Sequence, residues 1–111
     1  MTENNLPETI TKYLTAHEAR DAATAMTAFT ADAVVTDEGH TYRGRDEILN
    51  WLNSAGTEYT FTTELVGATT VQPGHVDVLQ HLEGDFPGGT ADLHFRFIME
   101  GALISQLVIE P

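Results

Sequence analysis

The sequence contains no cysteine, so neither a disulfide framework nor thiolate chemistry is open to it. It is also poor in positive charge. Lysine and arginine number 5 against 17 aspartates and glutamates, for a formal net charge of −12 and a pI near 4.4. Lys12, Arg20, Arg43, Arg45 and Arg96 are too few and too scattered to form the basic stripe that phosphate backbones require, which argues against nucleic acid as a partner. An anionic membrane surface would repel the chain. No apolar run approaches the ~18 residues of a membrane span. The opening stretch MTENNLPETI has neither the basic nor the apolar region of a signal peptide. The expected location is the cytoplasm. Acidity itself speaks to solubility rather than to a mechanism.

The 111 residues, 41% of them hydrophobic, suit one domain spanning 1–111 with one core. The first half reads helical. Asn5 can cap a helix with Pro7 and Glu8 in its first turn, and Ile10, Tyr13, Leu14 and His17 fall on one face. EARD at 18–21 interrupts that face. Asp21 can cap a second helix with Ala22, Met26 and Phe29 on its apolar side. Val34–Asp37 reads as a short strand, Gly39 as a turn, and Thr41–Arg43 as a short return. A third helix follows over RDEILNWLNSAG, with Asp46 and Glu47 at its positive end, Ile48, Trp51, Leu52 and Ala55 on one face, and Gly56 as its stop.

The second half alternates with period two. Strands are expected over 58–69, 75–83, 90–99 and 102–110, separated by the turns PG, GDFPGG and EG. Helices followed by an antiparallel meander define an α+β domain with its helices on one face of the sheet.

The stretch VVTDEGHTYRG at 34–44 raises a question: why do two acids end a strand? They either solvate a turn and pair with Arg43 or Arg45, or one of them faces a cavity. AMTAFTADAVVTDEG, YRGRDEILNWL and the LHFRF run before a glycine turn and an apolar last strand resemble the nuclear-transport-factor-2-like superfamily. That superfamily includes the SnoaL-like polyketide cyclases and the ketosteroid isomerases, the branch the chain looks like. That resemblance implies a cone: three N-terminal helices packed in a curved antiparallel sheet around an apolar pocket.

It also implies roles. Asp37, at the end of VVTD, matches the general-base position, and Tyr13 matches the hydroxyl donor on the first helix. Glu38 should then point elsewhere. The late-strand acid of the isomerases does not carry over. Leu93 stands in its place, and Asp92, one residue earlier, belongs to the opposite face. Tyr13 is therefore the expected partner of Asp37, if it has one.

Trp51, Tyr59, Phe61, Phe86, Leu93 and Phe95 are candidate pocket-lining residues, although aromatic rings at such spacings equally make plain core. Gln80 is the polar residue on the apolar face Val76–Leu82, and an inward amide must be hydrogen-bonded by protein, water or ligand. His17 is expected at a helix end, where the dipole favours its charged form. The histidines at 17, 40, 75, 81 and 94 show no metal-ligand spacing, so neither metal nor other cofactor is expected. His94 and Arg96 should lie on the outer sheet face, which the resemblance makes a homodimer interface.

The resulting expectation is a pocket for a small hydrophobic carbonyl compound. It is either an isomerase- or cyclase-type enzyme with Asp37 as base, or a non-catalytic binding or dimerising domain of the same fold.

Overall fold

The structure, a computed structural model, describes residues 7–37, 39–55 and 61–111. Asn5, Glu38, Gly56 and Tyr59 lie outside the described residues. The elements run α1 (Glu8–Glu18), α2 (Ala22–Met26), β1 (Phe29–Asp37), β2 (His40–Arg43), α3 (Gly44–Ala55), β3 (Phe61–Gln72), β4 (His75–Gly84), β5 (Thr90–Glu100) and β6 (Leu103–Glu110). The six strands form one curved sheet in the order β2-β1-β6-β5-β4-β3.

This corrects the expectation of a wholly antiparallel sheet, because β1 lies parallel to β6, with Val35 beside Leu107 and Asp37 beside Ile109. The hairpins β3–β4, β4–β5 and β5–β6 deliver the last strand to β1 running in β1's own direction.

The second helix is also shorter than its pattern. It stops at Met26, and Phe29 opens β1 instead of lying on a helical face. Tertiary hydrogen bonds explain the change. The Ala28 carbonyl accepts from the Ile104 amide at 2.8 Å, and the Phe29 carbonyl accepts from the Arg45 guanidinium at 2.7 and 3.2 Å. Both carbonyls are thereby committed outside any helix.

α1 ends in a Schellman turn. The Asp21 amide donates to the Ala16 carbonyl at 2.8 Å and the Arg20 amide to that of His17 at 3.1 Å. Arg20 occupies the left-handed position at φ 61°. Its guanidinium lies 4.6 Å above the Phe61 ring and donates to the Phe61 carbonyl at 3.3 Å. EARD is thus a turn that ties α1 to the start of β3.

The core lies between the helices and the inner sheet face. Ile10 and Tyr13 of α1 and Ile48, Trp51 and Leu52 of α3 meet Val35, Val76, Val78, Phe95, Phe97, Leu107 and Ile109. The alternation expected in β4 and β5 holds: Val76, Val78 and Gln80 are buried, as are Phe95 and Phe97. On β3 the register shifts between Leu65 and Gly67. Such a bulge transfers the inward set from one parity to the other, here from Leu65 to Ala68.

β2 passes into α3 through Gly44 at φ 83°. An added Cβ would meet only the Ala31 carbonyl, at 3.8 Å, so the obstacle to a side chain there is the left-handed backbone. Gly44→Ala should cost about 1 kcal/mol. Urea unfolding would register this as a lower midpoint with an unchanged slope.

Candidate functional site

Asp37 is the last residue of β1, and its half-buried side chain shares the inner face with Ala33 and Val35. Across the parallel seam it lies beside Ile109, which in turn pairs with Phe95. The carboxylate accepts a hydrogen bond from the Trp51 indole, Nε1 to Oδ2, at 3.0 Å. This corrects the expected pairing with Tyr13. Trp51 projects from the inner face of α3, and at 4% exposure its N–H needs an acceptor. The turn from β1 through β2 into α3 brings Asp37 and Trp51 together.

Tyr13 is fully buried on α1. Its ring meets Phe29 and Phe97 edge-on, with centroids at 5.5 and 5.7 Å. Its hydroxyl has no hydrogen-bond partner among the described residues. Burial pushes its pKa well above the ordinary tyrosine value, and the Asp37 carboxylate pushes it further. The phenol therefore stays protonated and can only act as a donor toward an anion.

His17, one turn on, was expected charged at the helix end. Burial instead drives its pKa down to about 4, and the nearby Arg20 charge adds to the effect. Packing overrides the dipole here because the imidazole is sandwiched between two rings. It stacks on Tyr13 at 5.7 Å and 23°, and on Trp51 at 6.3 Å and 19°. Tyr42 of β2 lies tilted against the indole at 6.0 Å and 31°. The roles of His17 and Tyr42 in this stack were missed from the sequence. The available signal was Tyr13 and His17 at helical spacing (i, i+4) on a single face.

Of the remaining candidates, Gln80, Leu93 and Phe95 lie along the same inner face, and Phe86 sits in the turn between β4 and β5. Gln80 is 5% exposed and pairs across strands with Leu65 and Leu93. Leu93 is half-buried, and Phe95 lies one inward step closer to Asp37's row. Phe61 and Phe86 form an edge-to-face pair at 6.4 Å near the Arg20 clamp. The inner face thus carries an ionisable acid, a buried phenol donor, a neutral imidazole and an inward amide among apolar walls. That set can abstract a proton from an apolar molecule and stabilise a developing oxyanion.

The outer face differs in kind. A groove of about 540 Å³ runs over it, walled by Val71, His75, Asp77, Arg96, Ile98 and Val108. Its charges satisfy one another. His94 pairs with Asp77 at 3.0 Å, and Arg96 with Asp77 and Glu110. His81 is held between Asp92 at 2.6 Å and Glu83 at 3.0 Å, hydrogen bonds that raise its pKa. Both His81 ring nitrogens are therefore engaged by carboxylates, whereas the buried Tyr13 hydroxyl, on the helix side of the sheet, has no hydrogen-bond partner among the described residues.

This architecture, with a helix-flanked curved sheet and an acid ending the first strand, is the nuclear-transport-factor-2-like α+β fold. Residues 10–102 match the family model of the SnoaL-like domain, and the chain belongs to that family. Among solved structures it is similar to a candidate polyketide cyclase from Sinorhizobium meliloti, with 28% identity, 96% of each chain covered and a TM-score of 0.90. A protein of ketosteroid-isomerase-like fold from Catenulispora acidiphila, in complex with trimethylamine, is 19% identical, covering 96% of this chain and 87% of that one at a TM-score of 0.85. Rv0760c from Mycobacterium tuberculosis, in complex with estradiol-17β-hemisuccinate, is 13% identical, covering 93% and 90% at a TM-score of 0.77. No curated protein gives a significant sequence match. Among the described residues, no helix is long and apolar enough to cross a membrane.

The burial of His17 has a pH consequence. Its folded pKa is about 4, against 6.5 for the ordinary group. Between these values the unfolded chain binds a proton that the folded chain refuses. Stability from this residue is therefore intact above about pH 6.5, falls as pH drops, and levels off below about pH 4, for a loss of roughly 3 kcal/mol. His17→Gln should flatten the acid limb of stability relative to wild type, measured by urea unfolding from neutral pH to about pH 4.

Proposed function

We propose that this chain is a small-molecule enzyme of the isomerase or cyclase kind, acting on a small hydrophobic carbonyl compound. Asp37 removes a proton next to the carbonyl and returns it elsewhere on the molecule. Tyr13 donates its hydroxyl to the oxyanion that develops, and Gln80 orients the far end of the ligand. One observation carries this reading: a carboxylate and a fully buried phenol without a partner among the described residues stand together on one apolar face. A buried hydroxyl left unsatisfied costs about 1–3 kcal/mol, which a ligand oxygen would recover. The inner wall, with Phe95, Leu93 and Val78, suits an apolar molecule rather than an anion. The likeness to the Sinorhizobium protein points the same way.

A second reading is a binding module without chemistry. Leu93 on the inner face favours it, because the position offers no second acid for an oxyanion hole. The two readings separate on turnover. With a panel of hydrophobic ketones and polyketide-like substrates, Asp37→Asn should lower kcat by about 10²-fold or more, and Tyr13→Phe by about 10-fold or more. If Asp37→Asn matches wild type on every substrate, the catalytic reading falls. Ligand recovered unchanged from the purified protein would then support binding alone.

We also propose that a second copy of the chain covers the outer groove, where apolar Val71, Ile98 and Val108 border charges that are already paired. Light scattering should give a dimer mass at about 50 μM, and Ile98→Asp should give a monomer, since an unpaired acid in such an interface is costly. A monomeric wild type would remove this part.

A further inference from the structure

We propose that Trp51 is the positioning residue of Asp37: its indole N–H, fixed by rings that pack on it from α1 and β2, holds one carboxylate oxygen and keeps the group ionised and aimed along the inner face. The inference rests on the reading of Asp37 as a base and goes beyond it, because it assigns the control of that base to a residue on another element.

The argument starts from donor chemistry. An indole N–H only donates, so it bonds the ionised carboxylate better than the protonated acid and favours the charged form. At 3.0 Å to Oδ2 the bond has ordinary length. Its direction is set by the indole plane, and two rings pack against that plane: His17, stacked at 6.3 Å and 19°, and Tyr42, tilted at 6.0 Å and 31°. Tyr13 stacks behind His17, which makes four successive rings drawn from α1, α3 and β2. Trp51 is buried at 4% exposure, so neither face of the ring is free to swing into water.

The groups around Asp37 are consistent with this assignment. From α1, Tyr13 is a protonated phenol and His17 a neutral imidazole at ordinary pH. From β2, His40 stands directly opposite Asp37 and Tyr42 opposite Val35. Arg20, beyond α1, spends its guanidinium on Phe61. A charged imidazole at position 17 would compete for the carboxylate, whereas the neutral ring acts as a spacer. A neutral donor also anchors a carboxylate while depressing its basicity less than a cation would, which suits a base.

Trp51 is the sole tryptophan of the chain. Two measurements follow from that. In a ¹⁵N–¹H spectrum the single indole cross-peak should titrate with the Asp37 carboxyl, and that step should vanish in Asp37→Asn. Biosynthetic replacement of tryptophan by 3-benzothienylalanine, which keeps the ring shape and removes the N–H, touches position 51 alone. It should raise the Asp37 pKa, followed by carboxyl ¹³C NMR, by about one unit.

An indole peak whose titration is unaltered by Asp37→Asn overturns the proposal. So does an Asp37 pKa unchanged to within about 0.2 unit in the analogue protein. The indole measurement needs no position-51 variant to fold. Both readouts are independent of turnover. A shifted Asp37 pKa in a protein that converts no carbonyl compound upholds the positioning role and removes the catalytic reading instead.

Discussion

Asp37 stands on the inner face because β1 runs parallel to β6, and most of the site hangs on that seam. The pairing of Val35 with Leu107 and Asp37 with Ile109 joins the N-terminal half of the chain to the meander. It also sets the height of the acid on the inner face, in the row that continues through Phe95 to Val78. Without it, β1 and the short β2 would be an isolated two-stranded ribbon, which is marginal in water. α3 would then have no sheet on which to bury Ile48, Trp51 and Leu52. The seam is possible because the hairpins of β3–β6 bring β6 back in the right direction. Parallel neighbours require such a long return.

The two faces of the sheet handle charge in opposite ways. On the outer face, acids meet histidines and arginine at cross-strand distances, so the groups neutralise one another locally. On the inner face, the Asp37 carboxylate meets an indole N–H. Burying a carboxylate is costly unless it is hydrogen-bonded, and a neutral donor offsets part of that cost. His17 follows the same logic: it contributes packing area while losing its charge to burial. The inner face therefore carries an acid among polar neighbours, Tyr13 and His17, that burial keeps uncharged.

The period-two patterns in 75–83 and 90–99 were legible because both strands have one face on the core and one toward solvent, and their alternation survives folding intact. The third helix was legible for the same reason. Phe29 was not. Ala22, Met26 and Phe29 have helical spacing, yet long-range bonds from Ile104 and Arg45 engage the carbonyls of the Ala28 turn and of Phe29, where β1 begins. On β3, no local signal announced the shift beyond Leu65. Of the candidate site, Asp37, Tyr13, Gln80 and Phe95 were named from pattern and resemblance, and their side chains lie on the inner face. Tyr59 lies outside the described residues. The ionisation of His17 was misread because helix position indicates a dipole and says nothing of the rings that will pack over the imidazole.

The sequence by itself determined the class of protein: an acidic chain without cysteine, with helical spacing first and alternating strands after, and an acid ending the first strand. These are properties of nearest neighbours along the chain, where the periods of helix and strand act. Tertiary structure alone decided which group Asp37 meets. Trp51 reaches it because β2 turns the chain back and α3 lays its inner face against β1. The Tyr13 ring packs on Phe29 and Phe97, which leaves its hydroxyl without a hydrogen-bond partner among the described residues. Hydrogen-bond choice within an apolar interior depends on distances of a few tenths of an ångström between elements far apart in sequence, and no local pattern encodes those.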